Sequence, residues 1–313
     1  MNHTVKLAVR FARAIVQLDT CINFRFEKER YTPYTVLSGQ WYCPWNISIG
    51  EIMFFQFYID NKLMHIGYPS SAEIVQKDGR TLLNFSSNGY SSALVTNQCP
   101  DGLITGINLT GLIQKSGITM PNIAYQQNTP TANYVNYYDG TSLWDAIVGY
   151  SLRVGGKYYP YLSGYNLIRI EPVDTQYIHE LTTADLISRG YKTDYSRMIS
   201  RIAMKGIEGT PSEYVVNNPL STQRNIIKCR EINFDREWIM DPESGVKHKI
   251  NYSMREVISD VFSFRGFTPL DLLDRLAVTD LKFEGEVDRL VITGNANQNV
   301  VTTIWCYHDG YCT

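Results

Sequence analysis

The stretch LLNFSSNGYSSALVTNQ, residues 82–98, contains the residue types of a hydrolase nucleophile. A strand-like apolar run reaches an Asn–Gly pair that favours a turn, and Ser91 follows where a helix could begin. A serine on a strand–turn–helix elbow is how α/β-hydrolases present their nucleophile, and G-x-S-x-G is complete here except for Ala93 in place of the last glycine. Because Ser91 or Ser92 could also cap a helix that begins at Ala93, two interpretations arise.

The surrounding sequence argues against a serine hydrolase. The elbow works because a doubly wound parallel sheet holds the serine at the carboxyl edge of a strand, and the alternation of strands and helices that builds such a sheet is absent. The candidate histidines lie in segments typical of a core, an interface or a solvated face: His65, His179, His248 and His308. Helix capping by Ser91 or Ser92 is therefore the interpretation that we favour.

Paired carboxylates and clustered thiols could carry other chemistry. Two pairs could act as acid and base in sugar cleavage: Glu180 with Asp185, and Asp235 with Glu237. Nothing in the sequence fixes the separation of either pair, which decides that reaction. The tail CYHDGYC brings Cys306, His308 and Cys312 together, without the fourth ligand and second cluster that a zinc site needs. We therefore expect no catalytic residue, no cofactor and no metal.

The composition is typical of a β-rich protein with much contact surface. Charged residues make up 19% of the 313 residues, compared with roughly 25% in average soluble proteins, and 22 residues are tyrosines. A surface poor in charge and rich in tyrosine suits a protein covered by partners, although tyrosine also favours strands. A net charge of −2 without a basic tail argues against specific nucleic-acid recognition. No apolar stretch approaches the ~20 residues that a membrane-spanning helix needs.

Strand patterns dominate the first 85 residues. Short apolar runs are separated by turn signals, and Asp60–Asn61 and Asp78–Gly79 are typical of hairpin corners. The run INFRFEKE alternates apolar and polar residues, as a half-buried strand does. Several short strands at this spacing predict a small barrel or sandwich.

The rest of the chain mixes helices with strands. Residues 139–152 give the clearest helix, because Ser142 can cap it and Asp145 three residues later completes a capping box. Further helices are predicted over 181–191, ending at Gly190, and over 250–258. The chain closes with a predicted hairpin around residues 294–299. The sequence thus predicts a mainly β protein with an α+β middle.

Several motifs, taken in order, resemble those of the baseplate hub proteins of phage tails. A glycine and an aromatic residue precede a short helix that ends in an Asn near a Pro, and a second helix carries a Trp–Asp pair. A proline-initiated hairpin follows, with Tyr165 as an insertion. Later, INYSMREVISDVFSFRGF, LLDRLAV and VTTIWC resemble the family's closing segments. The positions that carry the resemblance are Gly89, Tyr90, Asn97, Trp144, Asp145, Pro160, Gly164 and Asn166.

The resemblance implies two tail-tube-like β-barrels and a smaller α+β segment. The barrels would cover residues 1–85 and 173–313, the second being discontinuous in the chain if its strands require it, and the segment 86–172. It also implies a homotrimer whose six barrels form a ring that adapts a sixfold tail tube to a threefold spike or tip. The expected partners are further copies of the chain, the tube or distal tail protein, the spike or tip protein and the tape measure protein. The expected location is the virion, after synthesis in the host cytoplasm, and the expected activity is structural rather than enzymatic.

Two alternatives stay open at the level of sequence. A tail-associated cell-wall hydrolase would use Ser91 or an acidic pair. A receptor- or glycan-binding module would expose tryptophans at a ligand surface. The five candidates are Trp41, Trp45, Trp144, Trp238 and Trp305, and QWYCPW at 40–45 is the one aromatic cluster that could bind a sugar.

Overall fold

The computed structural model of the chain confirms a mainly β fold, with 47% of residues in strands and 18% in helices. It describes residues 3–44, 47–99, 102–117, 120–137, 140–155, 159–173, 177–234, 238, 241–296 and 299–308. No helix within these ranges is long and apolar enough to cross a membrane.

The first third of the chain forms seven strands. They are β1 (Val5–Arg10), β2 (Ile15–Leu18), β3 (Cys21–Glu29), β4 (Val36–Tyr42), β5 (Phe54–Ile59), β6 (Lys62–Lys77) and β7 (Arg80–Gly89). The predicted hairpin corners are confirmed, since Asp60, Asn61, Asp78 and Gly79 all have positive φ, as tight two-residue turns require.

The middle of the chain is a small α+β module. Its elements are α1 (Ala93–Thr96), β8 (Gly102–Ile107), α2 (Leu109–Lys115), β9 (Ala124–Tyr125), β10 (Ala132–Tyr137), α3 (Leu143–Arg153), β11 (Tyr161–Ser163) and β12 (Leu167–Arg169). The capping box predicted for α3 is confirmed, because Ser142 Oγ accepts from the Asp145 N–H at 3.1 Å and the Asp145 carboxylate accepts from the Ser142 N–H at 3.2 Å. The module has its own core around α3, which buries Leu143, Ile147 and Tyr150.

The last part of the chain returns to strands. Its elements are β13 (Ile178–Leu181), β14 (Leu186–Thr193), β15 (Arg201–Met204), β16 (Tyr214–Asn217), α4 (Pro219–Gln223), β17 (Cys229–Ile232), α5 (Pro242–Ser253), β18 (Ile258–Arg265), β19 (Arg275–Val278), β20 (Phe283–Glu286), β21 (Arg289–Asn295) and β22 (Val300–Tyr307). The predicted closing hairpin is present as β21 and β22, which pair antiparallel.

Two helix predictions in this part were wrong. Within 181–191, Thr182 and Asp185 cap only a single 3-10 turn, and the chain then becomes β14, because its backbone pairs with β18. The helix predicted over 250–258 begins earlier, at Pro242, where Asp241 caps it, and ends at Ser253. Tertiary strand pairing overrides local helix propensity in the first of these segments, and the second differs in its helix bounds.

One large sheet joins the first and last thirds of the chain. Its strand order is β14-β18-β22-β21-β3-β4-β7-β6-β5-β1-β2, and the two parts meet where β21 pairs with β3 from Asn23 to Glu29. Phe26, Phe57, Phe262 and Ile292 share one buried core beneath this sheet. The domain boundaries predicted at 85/86 and 172/173 stay predictions.

Smaller sheets cover the rest of the molecule. The sheet β13-β19-β20 adds Leu276 and Val278 to the main core. The sheet β16-β15-β17 packs on α5 through Ile202 and Ile250.

Candidate functional site

The face of the large sheet that points away from the core carries polar side chains. The alternation of β3 puts Phe24 and Phe26 into the core and leaves Asn23 and Arg25 on the other face. Strand register aligns two polar rows across β21, β3, β4, β7 and β6. One row is Thr293, Arg25, Ser38, Ser86 and Ser71; the other is Asn295, Asn23, Gln40, Asn84 and Glu73. Much of this surface lines a shallow depression of about 530 Å³.

Amide groups and paired charges give this face its chemical character. Asn23 Nδ2 donates to Gln40 Oε1 at 2.8 Å, and Asn84 Nδ2 donates to Glu73 Oε2 at 3.2 Å. Glu27 pairs with Arg25 at 2.7 Å and also with Arg289, so both guanidinium groups have a carboxylate partner. Such a surface is well hydrated and close to neutral, and it offers little fixed charge to hold a passing polyanion.

A cluster of tyrosines closes the other end of this face. The ring of Tyr31, in the turn after β3, lies 5.0 Å from that of Tyr159 in the middle module and 6.3 Å from that of Tyr307 at the end of β22. Tyr252 of α5 stacks on Tyr159 at 5.5 Å. Burial raises the pKa of Tyr159 and of Tyr307, so both stay neutral. Some of the many tyrosines therefore form contacts between different parts of one chain.

Gly164 docks the middle module onto the large sheet. It occupies the turn between β11 and β12 with φ +59, which favours glycine. Its N–H donates to Asp271 Oδ2 at 2.6 Å, and its carbonyl accepts from Lys28 Nζ at 2.7 Å. Lys28, only 3% exposed, also forms an ion pair with Asp271. Burial lowers the pKa of Lys28, while the nearby Asp271 carboxylate opposes that shift.

The sequence interpretation missed Lys28 and Asp271, although a signal existed. Lys28 continues the core-facing positions of β3 after Phe24 and Phe26, as the burial alternation shows. A lysine at a core position must find a carboxylate or a carbonyl partner, because an unpaired buried charge is costly.

Gly89 and Tyr90, two motif positions, lie where β7 ends. The Gly89 N–H donates to the carbonyl of Thr35 at 2.8 Å, and a Cβ there would come within 2.9 Å of Thr35 Oγ1. The ring of Tyr90 contacts those of Phe54 and Tyr68 at 6.1 and 6.3 Å. Both positions shape the junction between the sheet and α1.

Three further motif positions hold the middle module together. Asn97 ends α1, and its carbonyl accepts from the Leu143 N–H, the first residue of α3, at 3.1 Å. Trp144 lies in the core of the module and Asp145 caps α3. Pro100, which the motif places near Asn97, lies outside the described residues.

The last two motif positions flank the β11–β12 hairpin. Pro160 is buried immediately before β11, and the Asn166 carbonyl accepts from the Ala124 N–H at 2.8 Å, next to the parallel pairing of β9 with β12. The motif positions thus lie at separate structural joints, and the structure does not gather them into one reactive site.

Ser92 occupies the N-cap position of α1, as expected, but its side chain makes no capping hydrogen bond. Residues 90–92 already form a 3-10 turn that leads into α1, and neither hydroxyl bonds the helix N-terminus. Ser92 Oγ lies 2.7 Å from the Tyr68 hydroxyl. Ser91 Oγ is buried and has no hydrogen-bond partner in the described part of the chain, so no histidine is placed to activate it.

His65 is the one sequence candidate that sits in a buried serine–histidine arrangement. Its Nε2 lies 2.8 Å from Ser87 Oγ and its Nδ1 2.7 Å from Thr35 Oγ1. Because the Ser87 hydroxyl donates to the Tyr68 carbonyl, Nε2 carries the proton and Nδ1 accepts from Thr35. His65 is fully buried, and burial lowers its pKa to about 3. A substrate could not reach this neutral, doubly bonded ring.

The other histidine candidates also have structural contacts. His308 Nε2 lies 2.8 Å from Asp260 Oδ2, and His179 Nε2 lies 3.4 Å from the Thr268 hydroxyl. The ring of His248 lies between those of Trp238 and Tyr252.

The acidic and thiol candidates form no catalytic or metal site in the part of the chain that is described. Asp185 accepts two hydrogen bonds from Thr182, which lower its pKa, whereas a catalytic acid needs a raised pKa. Glu180 is exposed on β13. Burial raises the pKa of the Cys306 thiol, and no group of three or more metal-ligating side chains occurs among the described residues. Asp235, Glu237 and Cys312 lie outside the described residues.

The tryptophans do not form an exposed aromatic platform. Trp41, Trp144 and Trp238 are buried, and Trp305 is half-buried beneath the guanidinium of Arg289 at 4.8 Å. Trp45 lies outside the described residues.

Comparison with known proteins places this fold among phage tail components. No family model and no curated protein sequence matches the chain. The tail protein of Neisseria meningitidis MC58 has a similar structure, with a TM-score of 0.72 at 13% identity over 100% of this chain and 98% of that one. The 43 kDa tail protein of prophage MuSo2 from Shewanella oneidensis gives 0.68 at 10% identity over 97% and 98%.

A secretion component shares the same architecture. An Escherichia coli component of the type VI secretion system, described as structurally similar to two tail proteins of bacteriophage T4, gives a TM-score of 0.53 at 8% identity over 98% of this chain and 80% of that one. Identities this low show a common fold and leave individual roles open. The chain therefore has the fold that these phage tail proteins and the secretion component share.

Proposed function

We propose that the protein is a structural hub of a phage tail or of a phage-derived injection machine. Three copies form a ring that contacts a sixfold tube on one side and a threefold spike or tip on the other. The opening of the ring lets DNA or the tape measure protein pass during genome ejection. The mature protein resides in the virion, at the tip of the tail.

The observation that carries this proposal is the full-length similarity in fold. The Neisseria and Shewanella tail proteins align over nearly their whole chains as well as this one, so the likeness includes both parts of the large sheet and the middle module. The sixfold-to-threefold adaptor role goes beyond that likeness. It is what the resemblance to hub proteins implies, since two barrels in each of three chains would give six units around the ring.

The polar face of the large sheet supports a role as the lining of the opening. Its exposed part carries amide and hydroxyl side chains, and the charges of Glu27 and Glu73 balance those of Arg25 and Arg289. A channel that transports DNA has to avoid tight phosphate contacts, because each lysine or arginine that meets a phosphate adds affinity and slows release. A hydrated and nearly neutral wall meets that requirement.

The alternatives receive less support from the described residues. A cell-wall hydrolase needs an activated nucleophile or a carboxyl group with a raised pKa, and neither Ser91 nor Asp185 has that environment. A glycan-binding module would present aromatic rings, whereas Trp41, Trp144 and Trp238 are buried. We therefore propose that the protein has no enzymatic activity.

Electron microscopy of the purified protein tests the hub proposal. The expected result is a ring with a central opening and threefold symmetry. Compact particles without an opening, together with release of soluble fragments from purified peptidoglycan, would favour the hydrolase. Loss of that release in a Ser91→Ala variant would then identify the nucleophile.

A further inference from the structure

A buried lysine and two aspartates from distant parts of the chain meet beside the β11–β12 hairpin. Lys28 is 3% exposed and Asp274 7%, while the side chain of Asp271 is 27% exposed. Lys28 Nζ contacts Asp271 Oδ1, and Asp274 Oδ2 accepts from the Asp271 N–H at 2.6 Å. An amine that the fold holds against a carboxyl group, with little water around it, has the arrangement from which an amide can form.

Burial prepares Lys28 to act as a nucleophile. An ammonium group has no lone pair, so a lysine attacks a carbonyl carbon only after it loses its proton. Burial lowers the pKa of Lys28, and the nearby Lys62 lowers it further, while the charges of Asp271 and Asp274 oppose the shift. Burial therefore makes the neutral amine easier to form than it is at a lysine in water.

Hydrogen bonds polarise the carboxyl group of Asp271. Its Oδ2 accepts from the Gly164 N–H at 2.6 Å and from Ser163 Oγ at 3.2 Å. Attack at Cγ places negative charge on this oxygen, and two fixed donors stabilise that charge as an oxyanion hole does. The other oxygen, Oδ1, accepts from the Leu272 N–H at 2.8 Å and faces Lys28, which makes it the oxygen that departs.

Asp274 has the environment of a proton carrier. Burial raises its pKa, and the nearby Asp271 carboxylate acts in the same direction. Hydrogen bonds from the N–H groups of Asp271 and Tyr177, together with the charge of Lys28, oppose that shift. A carboxyl group with a raised pKa takes up and releases protons more readily than an exposed carboxylate, as general acid–base catalysis requires.

We propose that Lys28 and Asp271 form an intramolecular isopeptide bond after the chain has folded. The lone pair of Lys28 Nζ attacks Asp271 Cγ, so that a C–N bond forms and the bond from Cγ to Oδ1 breaks. The ammonium and the carboxylate together lose one molecule of water, whose two protons come from Nζ, and nothing is oxidised or reduced. Asp274 carries the protons, and the ion pair is the state from which the bond forms.

The bond joins β3 of the large sheet to the segment before β19, across a separation of 243 residues. A covalent link that closes so long a loop stabilises the fold mainly by restricting the unfolded chain. It forms within one chain and requires no ring, so this inference and the proposed function can fail separately.

Intact-mass spectrometry of the purified, folded protein tests the proposal. The expected mass is about 18 Da below the mass of the sequence, which is the mass of the water lost on bond formation. Digestion with trypsin is expected to release residues 26–30 joined to residues 266–275, because trypsin does not cleave after an acylated lysine. The internal control is the exposed ion pair of Lys247 with Glu243, whose peptides should stay separate because water surrounds both groups.

Two variants assign the roles, with circular dichroism as the check that each has folded. Lys28→Met removes the amine and is expected to have the full mass of its sequence. Asp274→Asn keeps an acceptor oxygen for the Asp271 N–H but has no acidic proton, so its bond should form about a hundredfold more slowly. An equal rate in this variant would overturn the role of Asp274.

A second source of water loss sets the outcome that overturns the bond itself. An Asp–Gly pair such as Asp78–Gly79 also loses one water when it cyclises to a succinimide. A mass loss that persists in Lys28→Met therefore overturns the isopeptide proposal. The full mass of the sequence in both fresh and long-stored folded protein overturns it as well, and neither result affects the hub proposal.

Discussion

At the scale of single residues, a few buried polar groups hold the parts of the chain together. Lys28 in the large sheet donates to the carbonyl of Gly164 in the middle module, and Asp271, which precedes β19, accepts from the Gly164 N–H. Lys28 and Asp271 also form an ion pair with each other. Removing one partner of a buried ion pair leaves the other charge without compensation, which costs more than removing the pair together. Substitutions of Lys28 and of Asp271 should therefore lower the free energy of unfolding by different amounts.

Replacing Asp271 with Ala is expected to lower the free energy of unfolding by about 3 kcal/mol, because the buried Lys28 ammonium loses its carboxylate partner. Lys28→Met should lower the free energy of unfolding by a smaller amount, since Asp271 is partly exposed and water can solvate its carboxylate. Chemical denaturation measures both. The control is Glu284→Ala, which breaks the solvent-exposed ion pair with Arg275 and should change stability little. Equal losses for Asp271→Ala and the control would refute the role of the junction.

His65 should make the protein sensitive to acid. Its pKa falls from 6.5 to about 3 on folding, so between these values only the unfolded chain binds the proton. The contribution of His65 is fully present above pH 6.5, and it falls by about 1.4 kcal/mol per pH unit as the pH drops towards 3. Protonation would also force both ring nitrogens to donate and break the bond from Thr35.

A His65→Gln variant isolates this effect. Unfolding free energies measured at pH 6 and pH 4 should fall less steeply in the variant than in the unmodified protein, although the variant is less stable at pH 6. Identical slopes in the two proteins would show that His65 is protonated without penalty in the fold.

At the scale of elements, local patterns predicted what local interactions determine. Three features could be predicted because each depends on residues close in sequence. They are the period-two alternation of β3, the positive-φ corner at Asp60–Asn61 and the Ser142–Asp145 capping box. The helix predicted over 181–191 failed because β14 owes its conformation to β18, about seventy residues later in the chain. The Lys28 junction joins residues even farther apart, so only the core-facing position of the lysine was visible beforehand.

The cap of α3 supplies a test at this scale. Ser142→Ala is expected to lower the free energy of unfolding by about 1 kcal/mol, because the Asp145 N–H loses its acceptor at the helix N-terminus. Ser48→Ala is the matched control, since Ser48 precedes the turn Ile49–Glu51 without a side-chain capping bond. Thermal unfolding of the two variants compares them directly, and equal stability would contradict the capping role.

At the scale of the whole molecule, the order of the motifs predicted the mainly β fold of tail proteins, although no single motif was decisive. The ring and its partners were expected only from the resemblance to a family, because contacts between chains leave no pattern in one sequence comparable to the alternation of a strand. The structure adds a polar face with paired charges, which the sequence pattern did not predict.

The neutrality of the polar face can be tested with DNA. Replacing Gln40 and Asn84 with Lys should create salt-sensitive binding of duplex DNA by the assembled protein, because unpaired lysines meet phosphates and release counterions. Fluorescence anisotropy at several salt concentrations measures this. The control places two lysines at Gln98 and Thr110, which lie in the middle module. Equal DNA binding by both variants would argue against a role for this face as the channel wall.

The native mass of the purified protein, measured by light scattering over a range of concentrations, tests the central claim most directly. The hub account requires a species of three times 35.8 kDa, formed without a partner protein. A mass that stays at 35.8 kDa up to the highest soluble concentration would contradict a self-assembling trimeric hub.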